Sequence, residues 1–408
     1  MKKLLSILTI GAITALSGSV INAIKVNDSL ENINGDSEVW SKAKYSKVTL
    51  YPQTTISFND KEAVEKNKDR KAMEALVGAV YNGKKIAFNV KWLDESKNSQ
   101  SSNAIRSFGD AVALQIPTNY QDPNKLPYIG MGSKDRSVIV HLQKSAEPLF
   151  EPNGDGDVYH QQSPNNVNQY DDEISKRDGL TKFNKKVATK AKSSYERSFV
   201  AEGFRSTTEI KDGSSSFSGD MKFEEPLFGD KQWNTTFTRD LKSDYVELKD
   251  AFPLAVAIWQ GEKSSRDGLK HLSSWVVVEL KSGASDKFVK EFAPIKADIA
   301  KGKTLAEANC AACHNYGSTN MAPEFMAPNL SNIGGYSTAS YIKESMVNPN
   351  AVIVPGYNRN AHPNTPWYNI EKGKRVSTMP EYSWLSQGDL NSIVAYFASL
   401  KAEKPKEK

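Results

Sequence analysis

The N-terminal part of the chain alternates apolar and polar residues in short runs, a pattern typical of half-buried β-strands. Residues that favour turns, mainly Gly, Pro, Asn and Asp, separate the runs. Many short strands with turns between them predict an antiparallel β-sandwich over residues 24–280. The runs are SKVTLYPQTTISF, KKIAFNVKWLD, DAVALQIP, RSVIVHLQK, WNTTFTRDL, FPLAVAIWQG and SSWVVVEL.

Towards the C-terminus the apolar residues no longer alternate but recur at the spacing of an α-helix. Residues 386–400 predict a helix, because apolar side chains recur at i, i+3, i+4 and i+7, namely Leu390, Ile393, Val394, Phe397 and Leu400. Residues 298–308 predict a second, shorter helix. These helices indicate a small all-α domain over residues 297–408. The segment KSGASDKFVKEFAPIK, residues 281–296, is interpreted as the linker between the two domains.

The first 23 residues have the features of a secretory signal peptide. Lys2 and Lys3 precede an apolar run from Leu4 to about Leu16, and small residues lead to a predicted cleavage after Ala23. The run is shorter than the roughly 20 apolar residues of a membrane-spanning helix, and no other segment is expected to span a bilayer. No cysteine lies near the cleavage point, so we expect no lipoprotein anchor. These features predict export to a bacterial periplasm.

Composition and charge narrow the possible functions. A chain of 408 residues favours two domains, since single cores rarely grow much beyond roughly 250–300 residues. A content of 38% hydrophobic and 25% charged residues is typical of a folded protein. The net charge of +5 is too mild to indicate nucleic-acid binding. We find no nucleophile constellation, phosphate loop, molybdopterin site or iron–sulfur framework, and therefore expect a non-catalytic role.

Both cysteines of the chain, Cys310 and Cys313, belong to the motif CAACH, which ends at His314. In an exported protein a disulfide or a redox-active dithiol are competing interpretations. The histidine argues against both, because C-x-x-C-H is the attachment signature of a c-type haem. A zinc site would need two further ligands, which His362 alone does not supply. We predict that both thiols attach a haem covalently and that His314 ligates its iron.

A second axial ligand is needed if this iron is to carry electrons rather than bind a substrate. Met379 precedes a proline and the predicted C-terminal helix, an arrangement that resembles the axial-ligand loop of class I cytochromes c. A thioether ligand raises the reduction potential, which suits an electron carrier. Met321, Met326 and Met346 compete with it and are interpreted as core or loop residues. We therefore predict a monohaem cytochrome c domain with Met379 as the second ligand.

Several segments of the N-terminal domain occur in a recognisable order: W…Y…VTLYPQ, FNVKWLD…FGDAVALQIP, YIGMGS…VIVHLQK, WNTTFTRDL and AVAIWQGEKSSRDGLKHLSSWVVVEL. In this order they resemble the haem b-binding domain of the ethylbenzene dehydrogenase gamma-subunit family, over about residues 30–280. That family includes the gamma subunits of selenate and chlorate reductases and of dimethylsulfide dehydrogenase. The resemblance implies a β-sandwich that holds one non-covalent haem b between a methionine and a lysine. It also implies a subunit through which electrons enter or leave a periplasmic molybdenum enzyme.

Carried over to this sequence, the resemblance implies Met131, in GMGS, and Lys270, in RDGLKHLSSW, as the haem b ligands. A lysine must be neutral to donate its lone pair, and burial favours that form. His271 is an open alternative to Lys270, because imidazole is the commoner haem ligand. Neighbours on a strand point to opposite faces, so only one of the two faces the iron. His141 and His160 are interpreted as structural or surface residues.

Together these features predict a periplasmic dihaem electron-transfer protein. Its expected partners are a molybdopterin catalytic subunit with an iron–sulfur subunit, contacted through the sandwich, and an onward periplasmic redox protein that meets the tethered cytochrome domain. Two alternatives stay open. One is a carbohydrate-binding sandwich fused to a cytochrome c, with exposed aromatic rings at Trp40, Trp92 and Trp233. The other is a haem-based sensor or enzyme, which needs an open coordination position on an iron.

Overall fold

The computed structural model describes residues 20–56, 60–99, 108–145, 194–203, 206–210, 213–323, 325–353 and 366–404. The predicted leader up to residue 19, His160 and His362 lie outside the described residues. In the part described, no helix combines the length and the apolar character needed to cross a bilayer.

The N-terminal domain is mainly antiparallel β-sheet, as predicted. Its strands are β1 (Val20–Asn22), β2 (Ile24–Lys25), β3 (Tyr45–Pro52), β4 (Met73–Tyr81), β5 (Lys85–Leu93), β6 (Ala111–Pro117), β7 (Val138–Ser145), β8 (Ser194–Ala201), β9 (Thr207–Ile210), β10 (Ser218–Glu224), β11 (Gln232–Asp240), β12 (Ala251–Trp259), β13 (His271–Leu272) and β14 (Val276–Glu279). Every apolar–polar run named above coincides with a strand. The pattern missed β4, whose sequence MEALVGAVY begins with good helix formers but pairs with strands on both sides.

The strands form two layers that face each other. One layer has the order β10-β11-β5-β4-β3, the other has the order β13-β12-β6-β7-β8-β9, and β3 pairs with β13 where the two connect. Gln143 of β7 donates a hydrogen bond across the core to the carbonyl oxygen of Thr236 in β11, at 3.0 Å. The main hydrophobic core therefore lies between β7 and its neighbours on one side and β11 and its neighbours on the other.

Strands β6 and β12 place bulky and short side chains on opposite faces. The positions on the face towards the core are bulky and fully buried: Val112, Leu114, Val256 and Ile258. Of the six alternating positions, two are Gln115 and Trp259 and four are alanines: Ala111, Ala113, Ala255 and Ala257. Because alternate residues of a strand point to opposite faces, these four alanines lie together on the outer face of this layer. We call this surface the alanine floor.

The last residues of the predicted leader belong to the sheet. Strand β1 pairs in parallel with β14, and Ile21 has no exposed surface. The backbone N–H of Ala23 donates to the carbonyl oxygen of Glu279 at 2.9 Å. Cleavage after Ala23 would remove this strand, and that boundary stays a prediction.

We predict that a chain starting at Ile24 unfolds at a lower urea concentration than one starting at Val20. Burial of the Ile21 side chain alone contributes about 1.5–3 kcal/mol, and the ladder to β14 is lost with it. Urea unfolding of both chains, followed by tryptophan fluorescence, measures the difference. Equal midpoints would contradict a stabilising role for β1.

The C-terminal domain contains both predicted helices. Helices of the described chain are α1 (Lys61–Asn67), α2 (Asp286–Phe292), α3 (Ile299–Asn309), α4 (Ile333–Tyr336), α5 (Ala339–Val347) and α6 (Gln387–Ser399), and β15 (Tyr368–Glu371) pairs with β16 (Lys374–Ser377). The side chains of Asp298 and Ser386 accept backbone N–H groups at the starts of α3 and α6. These helices cross closely at Gly302, where a Cβ atom would lie 1.9 Å from the carbonyl oxygen of Ser392. Only glycine fits at this crossing.

The segment interpreted as a linker, residues 281–296, is folded rather than extended. It contains α2, whose Phe288 is fully buried, and the ring centroid of Phe288 lies 6.4 Å from that of Tyr120 in the sandwich. Burial of such a side chain contributes about 1.5–3 kcal/mol, which holds the segment against the sandwich. The connection between the domains is therefore packed along the sandwich, and its boundary at residues 281–296 stays a prediction.

The cytochrome domain packs directly on the sandwich. Arg136, in the loop between β6 and β7, makes a bidentate ion pair with Glu344 of α5, with both N···O distances at 2.7 Å. Asn332, next to α4, donates to the carbonyl oxygen of Pro52 at the end of β3, at 3.1 Å. These contacts fix α4 and α5 against one end of the sandwich.

Candidate haem sites

The cytochrome domain contains a cavity of ≈ 260 Å³. All the residues predicted to attach and ligate haem c line it: Cys310, Cys313, His314 and Met379. Apolar side chains of α4, α5 and α6 form much of the remaining wall, among them Ile333, Ile342 and Phe397. The fold thus brings together residues that are far apart in the sequence.

The C-x-x-C-H motif forms the turn that follows α3. The backbone N–H groups of Cys313 and His314 both donate to the carbonyl oxygen of Cys310, at 3.1 and 2.9 Å. The two thiols are not joined by a disulfide. Burial raises the pKa of the Cys310 thiol to about 12, whereas Cys313 is exposed. One turn of chain therefore presents two thiols and an imidazole to the same cavity.

His314 is oriented by a hydrogen bond from its Nδ1 atom to the carbonyl oxygen of Pro328, at 2.7 Å. Because a carbonyl oxygen only accepts, Nδ1 carries the proton and Nε2 keeps its lone pair. Burial lowers the pKa of the imidazole below its ordinary value, which favours the neutral ring. Metal-ligating histidines are commonly oriented by such a bond from the other ring nitrogen.

Three of the four candidate methionines line this cavity, namely Met326, Met346 and Met379. Met321 is 78% exposed and lies outside it. Met379 follows the β15–β16 hairpin, and its backbone N–H donates to the hydroxyl of Ser377 at 3.1 Å. The packing removes one competitor, and the choice of Met379 among the other three stays a prediction.

A second cavity, of ≈ 530 Å³, lies on the outer face of the layer that contains β6 and β12. Its base follows the alanine floor and continues through Val140 and Leu142 of β7. Residues 128–131 and 265–268 cover it from the loops. Packed protein interiors contain few voids larger than a water molecule, so a cavity of this size indicates a ligand site.

Met131 and Lys270 both line the second cavity. Lys270 is 6% exposed, its Nζ lies 4.9 Å from the centroid of the Trp259 ring, and it forms no ion pair within the part of the chain described. Burial lowers the pKa of Lys270 to about 8. Burial therefore shifts Lys270 towards the neutral amine, the form whose lone pair can bind a metal.

His271 faces away from the second cavity. It pairs with Ile258, on the bulky face of β12. Both ring nitrogens are hydrogen bonded, since Nε2 donates to the carbonyl oxygen of Lys71 at 2.9 Å and Nδ1 accepts from the guanidinium of Arg70. Burial, with a smaller effect of Arg70, lowers the pKa of His271 to about 3. Of the two neighbours, Lys270 is the one presented to the cavity.

Met131 has a left-handed backbone, with φ of +76°, and Gly132 has the same φ. A residue with a side chain loses roughly 1–2 kcal/mol in this conformation. Its backbone N–H donates to Oε1 of Gln115 at 3.1 Å, and its carbonyl accepts from Gly203 at 2.8 Å. A backbone outlier held in place by its surroundings commonly marks a functional position.

We predict that Gly132→Ala destabilises the sandwich more than Gly83→Ala. Both residues have positive φ, but a Cβ at Gly132 would lie 2.9 Å from two backbone carbonyl oxygens, whereas no atom of the described residues lies within 4 Å of a Cβ at Gly83. The left-handed strain is common to both variants, so the clash should add at least about 1 kcal/mol to the loss. Urea unfolding of both variants measures this difference, and equal losses would contradict a tightly packed Met131 loop.

Other residues considered from the sequence lie in the core. The Nδ1 atom of His141 is 2.9 Å from the hydroxyl of Ser198, and the ring is fully buried away from both cavities. Three tryptophans are at most 6% exposed, which leaves no free ring face for a sugar: Trp40, Trp92 and Trp233.

Sequence reasoning missed Tyr128 and Thr55, which line the cytochrome cavity although they belong to the sandwich. Tyr128 lines the second cavity as well. Tyr128 begins the segment YIGMGS and Thr55 lies in the run SKVTLYPQTTISF, but neither pattern marks its residue as part of the cytochrome cavity, because that position depends on how the domains pack. The second cavity did leave a signal, since short and bulky residues alternate in DAVALQIP and LAVAIW.

A sandwich with a ligand cavity, packed against a domain with a C-x-x-C-H cavity, defines a haem-containing electron-transfer protein. Comparison with known families matches residues 37–271 to the family described as ethylbenzene dehydrogenase and residues 299–401 to cytochrome c. The first match spans more than half of the chain, which therefore belongs to the ethylbenzene dehydrogenase family. The second confirms the predicted cytochrome c domain and supports a covalent haem c. Together the domains relate the chain to electron-transfer subunits of molybdenum enzymes.

Solved structures with detectable similarity include a family 9 carbohydrate binding module from Caldicellulosiruptor kristjanssonii. In complex with cellotriose it is 8% identical, with 64% of this chain and 94% of that chain covered and a TM-score of 0.29. In complex with glucose the module is 9% identical, with 64% of this chain and 96% of that chain covered and a TM-score of 0.30. Similarity at this level carries no argument about function. No curated protein matches the chain.

Proposed function

We propose that the protein is a periplasmic dihaem electron-transfer subunit of a molybdenum-containing oxidoreductase. It relays electrons between the iron–sulfur subunit of that enzyme and a periplasmic redox protein. The observation that supports this most directly is a pair of adjacent cavities with different donor sets. One cavity combines C-x-x-C-H with methionines, and the other combines a methionine with a buried lysine.

In the cytochrome domain, Cys310 and Cys313 attach haem c through thioether bonds. His314 and Met379 would ligate its iron. The hydrogen bond to Pro328 supports this assignment, because it leaves the Nε2 lone pair of His314 free for the metal. The apolar wall from α4, α5 and α6 excludes water, which suits a centre that exchanges electrons rather than substrates.

In the sandwich, Met131 and Lys270 ligate haem b, which is held without covalent bonds. Three observations support the pair: both residues line one cavity, the backbone of Met131 is strained, and Lys270 is buried without an ion pair among the described residues. The alternative ligand His271 has both nitrogens engaged elsewhere. The alanine floor provides the space that a flat macrocycle needs.

Each haem, when bound, supplies a one-electron Fe(III)/Fe(II) couple. Two protein ligands for each iron would leave no coordination position for a substrate. The residues of this chain therefore hold, orient and insulate redox centres, and substrate chemistry belongs to a separate molybdopterin subunit. The predicted leader supports a periplasmic location for the assembly.

We predict one haem b and one haem c per chain in protein from a host that matures c-type cytochromes. Met131→Ala and Lys270→Ala should lose haem b and keep haem c, because only haem c is covalent. His271→Gln should keep both, because the ring faces away from the cavity. Pyridine haemochrome spectra and iron analysis measure each haem.

Met73→Ala is the matched control for Met131→Ala. Met73 is a partly buried methionine of β4 that lines neither cavity, so this variant should keep haem b. Retention of haem b in both Met131→Ala and Lys270→Ala would contradict the ligand pair. A wild-type protein with haem c alone would overturn the dihaem function. A glycan ligand for such a protein would favour the carbohydrate-binding alternative.

Substitution of the cavity methionines tests the second ligand of haem c. Met379→Ala should keep the covalent haem but convert the iron from low spin to high spin and lower its reduction potential, because the thioether favours the reduced iron. Met326→Ala and Met346→Ala should stay low spin. Optical spectra and redox titrations distinguish the three variants. A spin change in Met326→Ala or Met346→Ala, with Met379→Ala unchanged, would move the assignment to that residue.

A further inference from the structure

Tyr128 forms part of the wall of both cavities. It is 3% exposed, so its ring is enclosed between the two sites rather than at the surface. The chain continues directly from Tyr128 to Met131 through two residues that also line the sandwich cavity. Tyr128 therefore lies in the wall between the two cavities and lines both of them.

On the cytochrome side, Tyr128 contacts a second tyrosine. Its ring centroid lies 5.2 Å from that of Tyr341, with an interplanar angle of 32°. Tyr341 is on α5 and lines the cytochrome cavity. Two aromatic rings in contact thus lead from the sandwich cavity to the cytochrome cavity.

On the sandwich side, hydrogen bonds connect the same tyrosine to Lys270, the residue that precedes β13. The hydroxyl of Thr55 donates to Oε1 of Gln53 at 2.8 Å, so the hydroxyl of Tyr128, 2.9 Å from that of Thr55, donates to Thr55. The backbone N–H of Gln53 then donates to the carbonyl oxygen of Lys270, at 2.9 Å. Both residues proposed to ligate haem b are therefore linked to Tyr128. Met131 is linked to it along the chain, and Lys270 is linked to it through these hydrogen bonds.

The ion pair between the domains fixes this arrangement. Arg136 belongs to the same loop as Tyr128, and its partner Glu344 lies on the same helix as Tyr341, three residues further along. The bidentate geometry restricts sliding of α5 along the loop. The contact between the two rings is therefore part of a docked interface rather than a chance approach.

We propose that Tyr128, in contact with Tyr341, is the electron-transfer bridge between the two redox sites, and that the transfer occurs within the docked chain. This inference rests on the proposed dihaem function. In the step, one iron is oxidised from Fe(II) to Fe(III) while the other is reduced from Fe(III) to Fe(II). One electron crosses, no bond forms or breaks, and both tyrosine hydroxyls keep their protons.

The test compares Tyr128→Leu and Tyr341→Leu with the control Tyr120→Leu in the full holoprotein. Tyr120 is a buried tyrosine of the sandwich that lines neither cavity. After pulsed reduction of one centre, the distinct visible bands of haem b and haem c report the rate of exchange between them. Haem content and the reduction potential of each centre are measured for every variant, so that a change in driving force is not mistaken for a lost bridge.

Removal of either ring should slow the exchange several-fold or more, with both reduction potentials unchanged and with Tyr120→Leu at the wild-type rate. A wild-type rate in Tyr341→Leu, or in Tyr128→Leu with both haems bound, would overturn the bridge and leave the dihaem function intact. If Tyr128→Leu loses haem b, Tyr341→Leu decides alone, since Tyr341 does not line the sandwich cavity. A wild-type protein without haem b would overturn the proposed function and the bridge with it.

Discussion

The cytochrome domain is docked against one end of the sandwich, and this contact holds the wall that the two cavities share. The loop from residue 128 to residue 136 serves three purposes at once. Tyr128 closes both cavities, Met131 enters the sandwich cavity, and Arg136 binds α5 of the other domain. Displacement of the cytochrome domain would therefore open the wall between the cavities, and it would also release the loop that presents Met131.

The position of the second cavity follows from the same contact. A cofactor between the two sheet layers would be screened from the other domain by a layer of strands. The alanine floor of β6 and β12 instead places the cavity on the outside of the sandwich, under loops that the cytochrome domain contacts. Lys270 and His271 are neighbours in the sequence, but their side chains lie on opposite sides. Lys270 faces this cavity, whereas the ring of His271 is hydrogen bonded to Arg70 and Lys71 on the other side.

Much of this arrangement could be predicted from the sequence, because local signals carry it. Three of these signals are properties of short segments. They are the two-residue period of apolar side chains in the strands, the 3.6-residue period in α6, and the spacing of Cys310, Cys313 and His314. What escaped prediction depends on contacts between distant segments. Strand β4 has helix-forming residues and becomes a strand because both neighbours pair with it. The segment around Phe288 has the composition of a linker, and only the folded chain brings its ring next to that of Tyr120. Tyr128 begins the family segment YIGMGS, but nothing in that segment marks it as a residue of both cavities.

Locating the irons shows whether one docked chain holds two redox centres side by side. Crystals of the holoprotein, measured at the iron absorption edge, give anomalous difference peaks at the metal positions. We expect two peaks per chain, one between Sδ of Met131 and Nζ of Lys270 and one bonded to Nε2 of His314. A single peak beside His314, or a second peak bonded to His271, would rule out this arrangement.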